Sequence, residues 1–121
     1  MSDGRRGLSE EDRQAIEQIQ QSCAVLQQTK YELQQKMRSG ALTDDELIEV
    51  SGKVKEITDT VQKLEIKAIS TITDAMRANI APLHAATGSL AIELATLKRV
   101  RQLLDFAATV LGIAGRIVTM V

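Results

Sequence analysis

Apolar residues recur at alternating steps of three and four along the first part of the chain: Ile16, Ile19, Cys23, Leu26, Leu33 and Met37, with Lys30 the exception in the row. That period is the seam of an α-helix packed lengthwise on another helix. Ser9 followed by Glu10, Glu11 and Asp12 supplies an N-cap and acids for the positive end of the helix dipole, and Ser39-Gly40 supplies a stop. The pattern therefore predicts a first helix over 10–38, behind a flexible arm at 1–8. Its other side is rich in Gln and has no evident role.

Thr43-Asp44-Asp45-Glu46 has the form of a capping box, so a second helix begins only a few residues later. So short a link makes the pair an antiparallel hairpin. Leu47, Val50, Val54, Ile57, Val61, Leu64 and Ala68 continue the three-four rhythm and can face the first seam. Past Leu64 the stripe widens through Ile66, Ile69, Ile72, Met76, Ile80 and Leu83, which implies more than one apolar neighbour there. Pro82, the only proline, is expected to kink or end this helix near residue 81, and Thr87-Gly88-Ser89 to form the next break.

A third helix is then expected over 89–120, roughly 48 Å long at about 1.5 Å per residue. Within it Lys98, Gln102, Asp105, Thr109, Gly112, Arg116 and Thr119 form one narrow polar stripe. Two apolar seams flank that stripe. One runs through Leu97, Val100, Leu104, Ala107, Leu111, Ala114, Val118 and Val121, and the other through Leu103, Phe106, Val110, Ile113, Ile117 and Met120. The fold expected is all-α, a single domain over 9–121 in which an antiparallel hairpin and a third long helix make a three-helix bundle. Two partners offer the third helix one narrow seam each, so part of its apolar surface is expected to face outward.

Composition narrows the function. At 121 residues the chain can bury a modest core, and 15 basic against 16 acidic residues leave no field to hold a polyanion, so nucleic acid is not an expected partner. One Tyr, one Phe and no Trp provide no stacking platform. Cys23 is alone, which excludes an internal disulfide and fits a reducing compartment such as the cytoplasm. The first residues lack the apolar run of a secretory signal.

Candidate chemistry is sparse. His84 and Cys23 are single and distant in sequence, too few for a zinc site, and read as a surface residue and a small core residue. The acids at 10–12 and 44–46 are explained by capping and the helix dipole. No phosphate-binding or metalloprotease motif is present. No catalytic residue, cofactor, metal or small-molecule substrate is therefore expected. Lys30 reads either as a side chain snorkelling from the bundle edge or as a register device pairing with an acid.

The leading expectation is a non-catalytic interaction or assembly module that self-associates or binds a partner helix through Phe106, Val110, Ile113, Ile117 and Met120. The alternative is a membrane-active protein inserting or anchoring residues 103–121, with Lys98, Arg99 and Arg101 at anionic headgroups or an acidic partner. On the insertion scale the tail's apolar residues contribute roughly −3 to −5 kcal/mol, while Asp105 and Arg116 cost up to about 3 kcal/mol each, a near-zero sum. A third expectation is that the chain is the amino-terminal piece of a longer protein, which would make some of the tail's surplus an effect of the cut.

Overall fold

The computed structural model describes residues 10–70 and 74–119, and all side chains among them except those of 68–70, 75 and 119. The arm expected at 1–8, the cap at Ser9, and the apolar positions Ala68, Ile69, Ile72, Met120 and Val121 lie outside what is described. Among the described residues there are four helices and no strand: α1 (Glu10–Arg38), α2 (Asp44–Ser70), α3 (Asp74–Ala95) and α4 (Val100–Thr119). The all-α class holds, whereas the three-helix bundle is corrected to four helices.

The first hairpin forms as its sequence dictates. Gly40 takes a left-handed φ of 78° after α1, and Thr43 and Glu46 close a reciprocal capping box. The Thr43 amide donates to Glu46 Oε1 at 2.9 Å and the Glu46 amide to Thr43 Oγ1 at 3.2 Å. Leu26, Leu33, Val50, Ile57 and Leu64 are fully buried along the α1–α2 seam. Lys30 sits half-buried at the edge of this seam and donates to Thr58 Oγ1 at 3.4 Å, the behaviour of a snorkelling side chain.

The second hairpin departs from expectation at both ends. Pro82 does not end a helix, because α3 runs through it. Ala78, whose carbonyl would accept the missing amide bond, is exposed like Pro82 itself, so water can solvate that carbonyl. Gly88 is likewise helical and exposed, with nothing within 4 Å of where a Cβ would stand. The break falls instead at residues 96–99, where Lys98 adopts a φ of 53°. There the Glu93 carbonyl accepts the amides of Thr96 at 3.2 Å and Lys98 at 3.0 Å. Left-handed backbone costs a β-carbon residue roughly 1–2 kcal/mol, and the hydrogen bonds accepted by Glu93 offset that cost, so the turn forms without a Gly or Pro to mark it in the sequence.

Direction follows from cross-helix pairs. Asp12 meets Arg77, Gln18 meets His84, Ser22 meets Thr87 and Glu32 meets Lys98, so α1 and α3 run parallel. Glu49 meets Arg101, placing the starts of α2 and α4 together. The molecule is thus two antiparallel hairpins laid one on the other, α1 on α3 and α2 on α4, with α1 and α4 also in more limited contact along one diagonal. Among the described residues the backbones of α2 and α3, consecutive in the chain, make no close approach and lie on the other diagonal of the bundle.

This arrangement turns the apolar surface of α4 inward. Leu103, Leu104, Ala107, Val110, Leu111, Ile113, Ala114 and Ile117 are all buried, while Asp105, Thr109, Gly112 and Arg116 of the polar stripe face solvent. Among the described residues both seams are filled mainly by the chain itself, Leu97 excepted, which lies in the turn before α4 and is exposed. Val110→Asp places a charge at a position with no exposure and is expected to cost more than about 4 kcal/mol. Urea unfolding followed by circular dichroism should show loss of helix; a folded Val110→Asp protein would mean that this seam lies outside the core.

Candidate functional site

Three regions carry polar chemistry or unfilled surface: the seam between α1 and α3, the α3–α4 turn, and the outward side of α1. The seam arises from a second set of α1 positions, Ala15, Gln18, Ser22, Val25 and Thr29, which step three and four beside the apolar row and are all buried. Ser22 Oγ and Thr87 Oγ1 share a hydrogen bond at 2.8 Å in its middle. Gln18 Nε2 donates to Ser22 Oγ at 3.1 Å, which leaves Gln18 Oε1 to accept from His84 Nδ1 at 2.7 Å. That network assigns the His84 ring its Nδ1–H.

At the foot of the seam Arg77 Nε and Nη2 reach Asp12 Oδ1 at 3.2 and 3.1 Å. Asp12 is therefore more than a dipole partner, since it is nearly buried and tied to the other hairpin. The seam is closed at its top by Glu32 and Lys98, 3.7 Å apart. No buried side-chain nitrogen or oxygen among the described residues lacks a hydrogen-bond partner.

Lys98, Arg99 and Arg101, expected at lipid or an acidic partner, are brought together at the α3–α4 turn, and each has an acid of its own chain. Lys98 faces Glu32, Arg101 faces Glu49 at 2.6 Å and Asp105 at 3.7 Å, and Arg99 closes on Glu93. The Glu93 carboxylate is buried. Its Oε2 accepts from the Arg99 amide at 2.8 Å and Arg99 Nε at 3.2 Å, and its Oε1 from Arg99 Nη2 at 3.1 Å. The hydrogen bonds from Arg99 hold the Glu93 carboxyl below the usual carboxylate value, and those from Arg101 do the same for Glu49.

The residues expected to form an exposed partner face are placed differently. Val110, Ile113 and Ile117 are in the core, Phe106 is half-buried against it, and Met120 is not described. The expected surface is thus corrected to an interior one, because a second hairpin and not a lone helix meets the first. No helix among the described residues is long and apolar enough to cross a membrane. Cys23 lies in the core, where burial and the nearby Glu65 carboxylate push its thiol up to about 11. Among the described residues no group of three or more His, Cys, Asp or Glu is placed to hold a metal ion.

The outward side of α1 is also uncovered, as are single apolar side chains elsewhere, Ile48 and Ile66 on α2, Ile92 on α3 and Leu97 in the α3–α4 turn. From Gln18 to Thr29 the helix carries no charged residue. Gln20, Gln21, Ala24, Gln27 and Gln28 of this stretch are exposed, and Tyr31 beyond it is 62 % exposed. An open groove of about 1250 Å³ lies against this side; Ala91, Leu94 and Ala95 of α3 contribute to its wall, and Glu65 of α2, Glu32 and Lys98 place charges along it. The Gln-rich side was visible in the sequence, but its significance depends on knowing that α4 needs no outside partner.

Two measurements probe these networks. Ser22→Ala leaves Thr87 with one partner fewer in the interior and is expected to cost about 1–3 kcal/mol, whereas Ser22→Ala with Thr87→Val should cost less than the sum of the two single changes. Urea titrations of the four proteins give the coupling, and strict additivity would dissolve the proposed link. Because the folded-state value of Glu93 is depressed, its stabilising contribution is complete above the ordinary value near 4.5 and is lost as pH falls through the folded value. Glu93→Gln should therefore flatten the decline in melting temperature below about pH 4.5; an unchanged acid slope would show that Arg99 does not act through this carboxylate.

No protein-family model matches the sequence, and neither a curated protein nor a solved structure matches it.

Proposed function

We propose that this protein is a non-catalytic interaction module that receives one helix of a partner protein along the outward side of α1. The observation that carries the reading is the uncharged exposed surface of α1, ending in Tyr31, beside an open groove. Its physical basis is the cost of desolvation. Covering Lys or Glu strips water from a charge, whereas a Gln amide can exchange water for a donor and an acceptor on the partner. Interface centres are accordingly poor in charge and rich in Tyr.

The surface also suits a helix better than an enclosed ligand. Ile16, Gln20, Ala24, Gln27 and Tyr31 step four, four, three and four along α1, so they form a lengthwise track with a small residue at its middle. The paired salt bridges at the α3–α4 turn leave the neighbouring end of the bundle locally balanced in charge, which favours a partner held by shape and amide hydrogen bonds. The buried seams of α4 supply the rigid platform behind it.

The experiment is photo-crosslinking in cells from a reactive side chain at Gln27, with Asp59 on α2 as the control position. A discrete adduct from Gln27 alone, abolished by Ala24→Glu with Gln28→Glu, is expected. Those exposed changes should alter folding stability by no more than about 0.5 kcal/mol, and Tyr31→Ala should weaken the purified complex by about 1–2 kcal/mol. Equal adducts from Asp59, or none from Gln27, would remove this face from the proposal.

A further inference from the structure

Each hairpin is closed by its own turn. Gly40 and the Thr43–Glu46 capping box fix the first turn, and the Glu93 carbonyl and carboxylate fix the second. Between hairpins the covalent link is residues 71–73 alone, and the backbones of α2 and α3 make no close approach among the described residues. The contacts that hold hairpin to hairpin among the described residues are made side by side, and include the shared core, Asp12–Arg77, Gln18–His84, Ser22–Thr87, Glu32–Lys98 and Glu49–Arg101. None of these contacts requires both hairpins to come from the same copy.

The sequence around the link favours an alternative route. α3 runs opposite to α2, yet Gln62 to Ala81 contains neither Gly nor Pro. Ile69, Ile72, Met76, Ile80 and Leu83 step three, four, four and three across the link, which is the continuing period of one helix. Thr71, Ile72 and Thr73 are middling helix formers that neither compel a helix nor forbid one. Short hinges between separately packed units are where exchange of elements between copies is least costly.

We propose that a second copy of this chain is a partner by hairpin exchange: α2 and α3 run on as one helix over 44–95, and the α3–α4 hairpin of each copy docks on the α1–α2 hairpin of the other. The continuous helix is roughly 78 Å long at about 1.5 Å per residue. Each end of the dimer rebuilds the interface of the monomer, including the polar seam, so the seam that sets the register within one chain also selects the matching hairpin of another. The outward side of α1 plays no part in the exchange and stays open in both forms.

Ser22 and Thr87 supply the test, since their oxygens are 2.8 Å apart and cysteines there are within reach of a disulfide. The full chain carrying Cys23→Ala, Ser22→Cys and Thr87→Cys is refolded at micromolar and at near-millimolar concentration, oxidised, and resolved on a non-reducing gel. Exchange predicts a crosslink within the chain at low concentration and a growing covalent dimer at high concentration. Dimers whose crosslinks all lie within single chains would overturn the proposal, as would a monomer at every concentration. Light scattering on the unmodified chain and two link variants guards against a cysteine variant that does not fold. Thr71→Ala with Thr73→Ala should raise the dimer association constant by roughly tenfold or more, and a Gly-Gly-Ser insertion after Ile72 should lower it. Insensitivity to both link changes would also overturn it, while insensitivity to Tyr31→Ala is expected and separates this result from the α1 docking reading.

Discussion

α4 is apolar on two sides and polar on one narrow stripe, and the remainder of the fold answers that fact. A helix of this kind is stable in water only between two seams. α3 closes against it as the other arm of its own hairpin, and the first hairpin covers the second side, with α2 alongside and α1 approaching across the centre. Leu104, Val110, Leu111 and Ile117 thereby end in the same interior as Leu26, Leu33 and Leu64. Burying several such side chains at about 1.5–3 kcal/mol each outweighs any local preference along the way. Pro82 within α3 and Lys98 in left-handed backbone are tolerated for this reason.

An apolar interface alone would leave the two hairpins free to slide by a turn. The α1–α3 seam restricts this, because Ser22, Thr87 and Gln18 are satisfied at one alignment and would be stranded at the next. Charged pairs at either end, Asp12–Arg77 and Glu32–Lys98, mark the same offset from closer to water, where they contribute more to alignment than to net stability. The apolar core therefore provides the driving force, and the seam provides the register.

Much of this was legible before any coordinates. The first hairpin, its Gly40 stop, its capping box and the polar stripe of α4 follow from local rules that tertiary structure had no reason to override. Pro82 and Thr87-Gly88-Ser89 misled because the strength of a breaker depends on solvation and packing: an exposed carbonyl at Ala78 makes Pro82 tolerable, and Thr87 is held by Ser22 from another helix. The turn at 96–99 was hidden because its residues are held by Glu93 and not by their own propensities. The buried face of α4 was misjudged for a countable reason, since its exposure depended on whether two or three other helices were present. The row Gln18, Ser22 and Thr29 carries only a weak signal, because uncharged polar residues at helical spacing look the same whether they face water or a second hairpin.

Cys23 has a consequence of a different kind. Its sulfur is packed in the core, and a thiol held near 11 is almost wholly protonated at neutral pH. Cys23 lies buried beneath the open groove beside α1, so a reagent reaches it when the packing around it opens, and the rate of that reaction counts excursions from the closed state. The single thiol of the chain thus serves as a clock for the breathing of the packing around the middle of α1.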